Sequence, residues 1–394
     1  MRQSLLLGAL AEVAELHLAM FDLDVNAAPP FPAKLTPLPA PPHTKPGTLG
    51  LLLGDLSSPL PRMVRGYDLS GPRTAVANLR PESFDAMVAF RIDFAHWAGV
   101  LDHPRLILDI DDPEHIRAQR RIIATTGHNG DWRTRLDLAK LRRFEHQAVA
   151  KAQISFVCQE NDRKGWPRQP LVVPNCVQVP SSPPRNVTEP KLIFVGNCAA
   201  GDTSPNVDAV RYFLREIWPL VQRQVPAARF EIVGAVSETV RAAAAAASHV
   251  TVRGFVENLD DVYATASASV VPIRFGTGTR VKIIDAFAHA CPVVSTTAGA
   301  EGIDAVPGRD LELADAPAEF AAHCAALLMD AAAQHRIGWA GYALASQRYD
   351  RQAQKRRLAE IFNRFLASAD PASAGAQNRD AANRHGGDKA AACA

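Results

Sequence analysis

The sequence has few cysteines, little net charge and no long apolar run. Its six cysteines, Cys158, Cys176, Cys198, Cys291, Cys324 and Cys393, lie far apart, with no CxxC pair and no partnering histidine spacing. That argues against a zinc site and a disulfide framework, and it points to a reducing, cytoplasmic compartment. With 43 Lys+Arg against 41 Asp+Glu, a formal charge of +2 gives no global field for nucleic acid, so an anionic partner must be met by a local cluster. The most apolar stretches, residues 4–20 and 49–60, are broken by Glu12, Glu15, His17 and Asp55, so neither reads as a spanning helix and the first does not resemble a signal peptide. What is there, 394 residues at 47% hydrophobic and 21% charged, is the balance of a globular chain of about two or three domains.

Periodicity predicts an α/β chain. Residues 2–14 carry apolar residues at helical spacing and 15–21 read as a strand, so a helix feeds the first strand, the reverse of the usual doubly wound start. The proline-dense stretch 29–46 predicts an extended surface excursion. Residues 85–91, 105–112, 153–159 and 170–175 read as buried parallel strands, with a polar helical region over 114–151. Residues 177–190 lose all periodicity and gather proline and serine, as a linker does. Beyond them, strands at 191–196, 228–234, 249–256, 269–274 and 292–297 alternate with helices, the pattern of a parallel sheet covered on both faces. The expected division is a first Rossmann-like domain over 1–183 and a second over 184–349. A helix at 350–366 is expected to return to the first domain. The tail over 367–394 has too few large apolar residues to offset its ordering entropy and is expected to be disordered.

Chemistry concentrates between Arg274 and Gly302. A strand ends at Arg274, a loop with Gly276 and Gly278 follows, and a helix starts close to Thr279. Free backbone N–H groups and the positive helix end then stand where a diphosphate could sit, with Arg280 and Lys282 adding two cations. Lys282, Asp285 and His289 recur at spacings of three and four and share one helix face, beside an apolar face of Val281, Ile284 and Ala288. A Lys282–Asp285 surface ion pair and glycines that only turn the chain would explain the same residues. The loop's place at the carboxyl end of a strand, where doubly wound sheets bind ligands, favours a nucleotide-diphosphate site with Asp285 accepting from ribose hydroxyls.

From Lys191 to about Leu366 the chain resembles the carboxyl-terminal domain of a family 4 glycosyltransferase, one of the group 1 glycosyl transferases of two-domain GT-B architecture. The pieces that carry the resemblance are FVGN, SPNVDAVRYFLREIWP, ARFEIVG, VTVRGFVENLDDVYATA, VVPIRFGTGTRVKIIDAFAHACPVVSTTAGAEGI and LELAD. The amino half matches less sharply, through AFRIDFAHWAG, LILDIDDPE, FVCQENDR and VVPN. The resemblance implies two facing Rossmann-like domains, the first lacking its first strand, with Arg2 near the end of the family's glycine-containing loop. It implies a retaining transfer of a sugar from a nucleoside diphosphate donor, held by the second domain, to a glycan or lipid-linked saccharide held by the first. No cofactor beyond the nucleotide sugar is expected.

Residue by residue, the resemblance implies that Gly276, Thr277, Gly278 and Thr279 meet the pyrophosphate, that Gly196 lies near the phosphates and that the backbone at Val256 meets the nucleobase. Thr277 stands where the family has the first Glu of its Glu-seven-residues-Glu motif, and Asp285 where it has the second, the ribose ligand. The Gly-Arg and later Lys that open many members' second domain are absent from FVGNCAAGDTSPN. Arg280 and Lys282 are therefore expected to neutralise the departing diphosphate and to be the first catalytic contributors. The alternative is a catalytically impaired nucleotide-sugar-binding or scaffold protein of the same fold. An epimerase or phosphorylase is a further rival, the phosphorylase disfavoured because no lysine is visibly placed for pyridoxal phosphate.

In the first domain Arg91, the third catalytic candidate, and His96 follow a strand, and both are placed to face a cleft or, for His96 beside Trp97, to pack. Glu160 and Asp162 read as helix caps or acceptor contacts. Asp109, Asp111 and Asp112 are the carboxylate cluster; capping explains them, and no metal is expected. Over 117–151, nine Lys/Arg (Arg117, Arg120, Arg121, Arg133, Arg135, Lys140, Arg142, Arg143, Lys151) face Asp131, Asp137 and Glu145. Interleaved with Ile122, Ile123, Trp132, Leu136 and Leu141, they read either as a solvated helix face or as a peripheral contact with an anionic inner-membrane surface that brings the site to a lipid-linked acceptor. No aromatic platform accompanies the charge, so nucleic acid is not an expected partner.

Overall fold

The computed structural model describes residues 2–21, 29–44, 54–128, 130–199, 201, 204–276, 280–368 and 389–393. They form two compact units, one running to Val173 and resuming at Ala353, the other Pro174–Gln352. The first contains β1 (Glu15–Phe21), β2 (Ala33–Leu38), β3 (Ala86–Phe90), β4 (Leu106–Asp111), β5 (Ile154–Val157) and β6 (Leu171–Val172). The second contains β7 (Lys191–Val195), β8 (Arg229–Val233), β9 (Val250–Gly254), β10 (Ala268–Val271), β11 (Val293–Ser295) and β12 (Glu312–Leu313). A further strand, β13 (Lys389–Cys393), belongs to the first unit. Every strand pairing is parallel.

In the first unit the order is β2-β1-β13-β3-β4-β5-β6. All side chains of β3 are buried, and all of β4 except Asp111, which is why these strands read as unbroken apolar runs. Two expectations are corrected here. The proline-rich stretch is not only an excursion: Ala33–Leu38 pairs with β1, and Pro37 is tolerated because β2 lies at the sheet edge. The tail is not disordered throughout. Residues 389–393 pair with β1 on one side and β3 on the other, so backbone hydrogen bonding on both edges supplies what their small side chains do not. Within the same unit, the helix Arg351–Ala367 lays Phe362 against Phe156 at 6.0 Å, and Arg105 donates to the Phe365 carbonyl at 2.6 Å.

In the second unit the order is β12-β11-β10-β7-β8-β9, over a core in which Phe213, Trp218, Phe230 and Phe320 are fully buried. The aperiodic linker segment is held by this unit. Arg185 donates to the Tyr263 and Ala266 carbonyls, and Tyr342 Oη donates to the Pro180 carbonyl at 2.8 Å. The division therefore falls at Val173–Pro174, ten residues before the sequence reading put it, because carbonyl acceptors anchor a segment that shows no periodicity.

The helix Ala331–Leu344 rests on the backbone that ends the helix Val281–Ala288: a β-carbon at Gly338 would stand 2.1 Å from the Ala290 carbonyl oxygen. Gly338→Ala is expected to push this pair apart and to destabilise the second unit by about 1–3 kcal/mol. Calorimetry reads it as a lower melting midpoint, and an unmoved midpoint would show the contact to be slack.

Candidate functional site

β7 and β10 are neighbours inside the second sheet, and because they are parallel their following loops emerge at the same, carboxyl end of the sheet. After β7 comes Gly196, whose N–H donates to the Val233 carbonyl at 2.9 Å. After β10 comes Arg274, which donates to both oxygens of Asp208 at 3.0 and 2.5 Å and lies 4.5 Å over the Tyr212 ring. Gly276 follows at φ 116°, where an L side chain is strained. Thr277, Gly278 and Thr279 lie outside the described residues. The helix then runs over Val281–Ala288, slightly later than its predicted start, with Arg280 at the cap position, no side-chain cap and no acidic residue in its first turn. Its positive end is thus unopposed by its own sequence.

Two cations stand against two glycines. A β-carbon at Gly276 would lie 2.8 Å from Arg280 Nη2, and one at Gly196 would lie 2.7 Å from Lys282 Nζ. Lys282 Nζ donates to Asn206 Oδ1 at 2.9 Å and lies 3.9 Å from the centroid of the Phe194 ring. The surface ion pair with Asp285 does not form; Lys282 turns instead toward β7. Burial, with the positive Arg280 adding to it, pushes the ammonium down to about 7. Asn206 and Phe194 were missed as site residues. No local pattern marks them, because Asn206 reaches Lys282 across 76 positions.

Asp285 is half-buried, and burial raises its carboxyl to about 6. His289, on the same helix face, is spent on structure. One ring nitrogen meets Asp260 Oδ1 at 2.9 Å, the other the Asp285 carbonyl at 2.7 Å, and the ring stacks on Tyr263 at 4.8 Å. Since the folded carboxyl is raised from 3.8, the folded chain holds a proton that the unfolded chain releases between about pH 4 and 6. The stability this group contributes is complete below that window and is lost as pH rises through it. Asp285→Asn is therefore expected to stabilise the second unit by about 1–2 kcal/mol near pH 7.5 and to leave it unchanged near pH 4. Thermal melts at the two pH values decide this; no gain near pH 7.5 would mean that Asp285 is not held against its own charge. Val256 is half-buried just beyond β9, the edge strand two positions from β7, roughly 10 Å across the sheet.

The first unit places its candidates differently. Arg91 sits at φ 67° after β3, donates to both oxygens of Asp93 at 3.1 and 3.0 Å and lies 5.4 Å from the Phe94 ring, so its charge is already matched. Arg91 lines a recess with Asp111, Asp112, Glu114 and Glu145. His96 packs edge-on against Phe144 at 5.3 Å, and burial lowers its pKa. Asp162 accepts from Gln159 at 2.7 Å, and Glu160 pairs with Arg163 at 3.1 Å. Asp109 binds Arg2 at 2.7 Å, Asp111 is pushed up to about 6 by burial, and Asp112 accepts from the Cys158 thiol at 2.9 Å. Part of the basic region is internally neutralised: the buried Asp55 accepts from Arg62, Arg65 and Arg133, which hold its carboxyl well below the usual range. Arg135, Arg142 and Arg143 are exposed, as are Ile123 and Trp132.

Residues 189–330 match the family described as glycosyl transferases group 1. A Klebsiella pneumoniae protein described as "Uncharacterized 44.6 kDa protein in cps region" is 24% identical over 179 residues, which is 43% of this chain and 45% of that protein, so the match spans less than half of the relative. Among solved structures, a point mutant of S. aureus TarM, in complex with fondaparinux, alpha-GlcNAc-glycerol and UDP, is similar with a TM-score of 0.58 at 14% identity, over 77% of this chain and 59% of that one. Anabaena Alr3699/HepE in complex with UDP and glucose is similar with a TM-score of 0.59 at 14% identity, over 93% of this chain and 96% of that one. Over residues 189–330 the chain is thus similar to the group 1 glycosyl transferases, and its two parallel-sheet units have the GT-B fold.

Proposed function

We propose that the protein is a retaining hexosyltransferase that moves a sugar from a nucleoside diphosphate sugar to a glycan or lipid-linked saccharide. The observation that carries this reading is the pair of cations, Arg280 and Lys282, seated against Gly276 and Gly196 at the carboxyl ends of β7 and β10. Breaking the anomeric bond puts extra negative charge on the departing diphosphate. Cations and helix-end amides already aimed at it then stabilise the transition state more than the ground state. Asp285 would hold the ribose, the backbone at Val256 the base, and the 276–279 loop the pyrophosphate. Both structural neighbours described above hold UDP, and TarM also holds a saccharide and a GlcNAc-glycerol, which supports a nucleotide sugar as donor and a glycan as acceptor.

On the acceptor side, Arg91 and its recess would meet the saccharide. The exposed Trp132, Ile123, Arg135, Arg142 and Arg143 would rest on an anionic lipid surface. Release of nucleoside diphosphate from a panel of nucleotide sugars, with lipid-linked and soluble saccharides as acceptors, tests the reading. Tight binding of a nucleotide sugar without turnover on any acceptor would make the protein a binding or scaffold relative, and the anomeric configuration of the product decides retention.

A further inference from the structure

Lys282 Nζ is held by two neutral groups, the Asn206 amide at 2.9 Å and the Phe194 ring at 3.9 Å. The orientation of that amide follows from chemistry: the Asn197 carbonyl can only accept and an ammonium can only donate. Asn206 Nδ2 therefore donates to Asn197 O at 2.9 Å, which leaves Oδ1 for Lys282. One side chain thus ties together the loop after β7, the first turn of the helix Pro205–Tyr212 and the helix that carries Lys282.

The titratable and charged groups facing the ammonium are the Cys198 thiol and Arg280. Asp208, on the same helix as Asn206, is taken by Arg274. Asp285, one turn along the lysine's own helix, makes no ion pair with it among the described residues. Among the described residues, this half-buried cation between an amide and a ring has no carboxylate as the counter-charge that burial calls for.

We propose that Asn206 is the positioning residue of the donor site, fixing the Lys282 ammonium beside Gly196 while leaving its charge for an incoming diphosphate. This assignment rests on the reading of the site as a nucleoside diphosphate site. An aspartate of the same shape would hold the lysine equally well but would neutralise it, and its own charge would repel the ligand. The pKa of Lys282, about 7 in the free protein, rises again when a diphosphate arrives. Binding above that pH then takes up a proton, and affinity falls as pH rises.

Titration calorimetry of the full chain at about pH 8, with UDP, GDP, ADP and dTDP in two buffers of different ionisation enthalpy, measures both affinity and proton uptake. The expected result is proton uptake on binding by the wild-type chain. In Asn206→Asp, affinity is expected to fall about tenfold or more and the uptake to vanish, because the carboxylate keeps Lys282 protonated without ligand. Asn206→Ala, whose melting curve checks the fold, is expected to lose affinity while keeping uptake, since it loosens the lysine without neutralising it. Wild-type binding without proton uptake, or an Asn206→Asp variant that binds with unchanged affinity and uptake, overturns the role of Asn206 alone. If the wild-type chain binds none of the four nucleotides, the functional reading falls, and this assignment with it.

Discussion

Replacing Lys282 with alanine is expected to lower turnover about ten- to a thousand-fold, the usual loss when one group that stabilises developing charge is removed. Arg280→Ala is expected to fall in the same range. The two substitutions part company in stability. Lys282 is a half-buried ammonium whose partners among the described residues are an amide and a ring, so removing it relieves a desolvation cost, and Lys282→Ala is expected to melt no lower than the wild type near pH 7. Activity lost without stability lost is the signature of a group held in place for the reaction. Nucleoside diphosphate release under saturating donor, beside a melting curve for each variant, is the measurement. Unchanged turnover in both variants would remove the two cations from the mechanism.

Removing residues 389–394 is expected to unfold the first unit and leave the second standing. β13 lies inside the sheet, paired over five residues with β1 and over four with β3. Without it, two strand edges in the middle of a parallel sheet face each other across a gap one strand wide. Each buried backbone group left unbonded costs about 1–3 kcal/mol, and a few of them exceed the roughly 5–15 kcal/mol that holds a domain together. Hydrogen exchange mapped along the chain should show β1 and β3 losing protection in the truncated protein, while β7 to β12 keep theirs. A nucleoside diphosphate that binds the second unit should still bind. Equal protection of β1 and β3 with and without the last residues would show that the sheet does not depend on β13.

The site and the fold differ in how much of each could be read without coordinates. The strand, both cations and Asp285 lie between Ala268 and Ala288, so their order along the chain already implies their order in space. Helical spacing put Lys282, Asp285 and His289 on one face. It said nothing of what that face meets, and the three have different partners: Lys282 goes to Asn206, His289 to Asp260, and Asp285 stays buried enough to resist ionising. Spacing also suggested an ion pair between Lys282 and Asp285, which does not form, because a ring and an amide on neighbouring elements compete for the ammonium.

The alternation of apolar runs with helical stretches determined that this chain builds parallel sheets, since side-chain periodicity is a local property and survives in the bare sequence. Only the tertiary structure decided that Asn206 holds Lys282 and that Lys389–Cys393 lies between β1 and β3. An alanine-rich pentapeptide carries no strand preference of its own. It becomes a strand where β1 and β3 present backbone donors and acceptors on both sides, a condition that only the assembled sheet supplies.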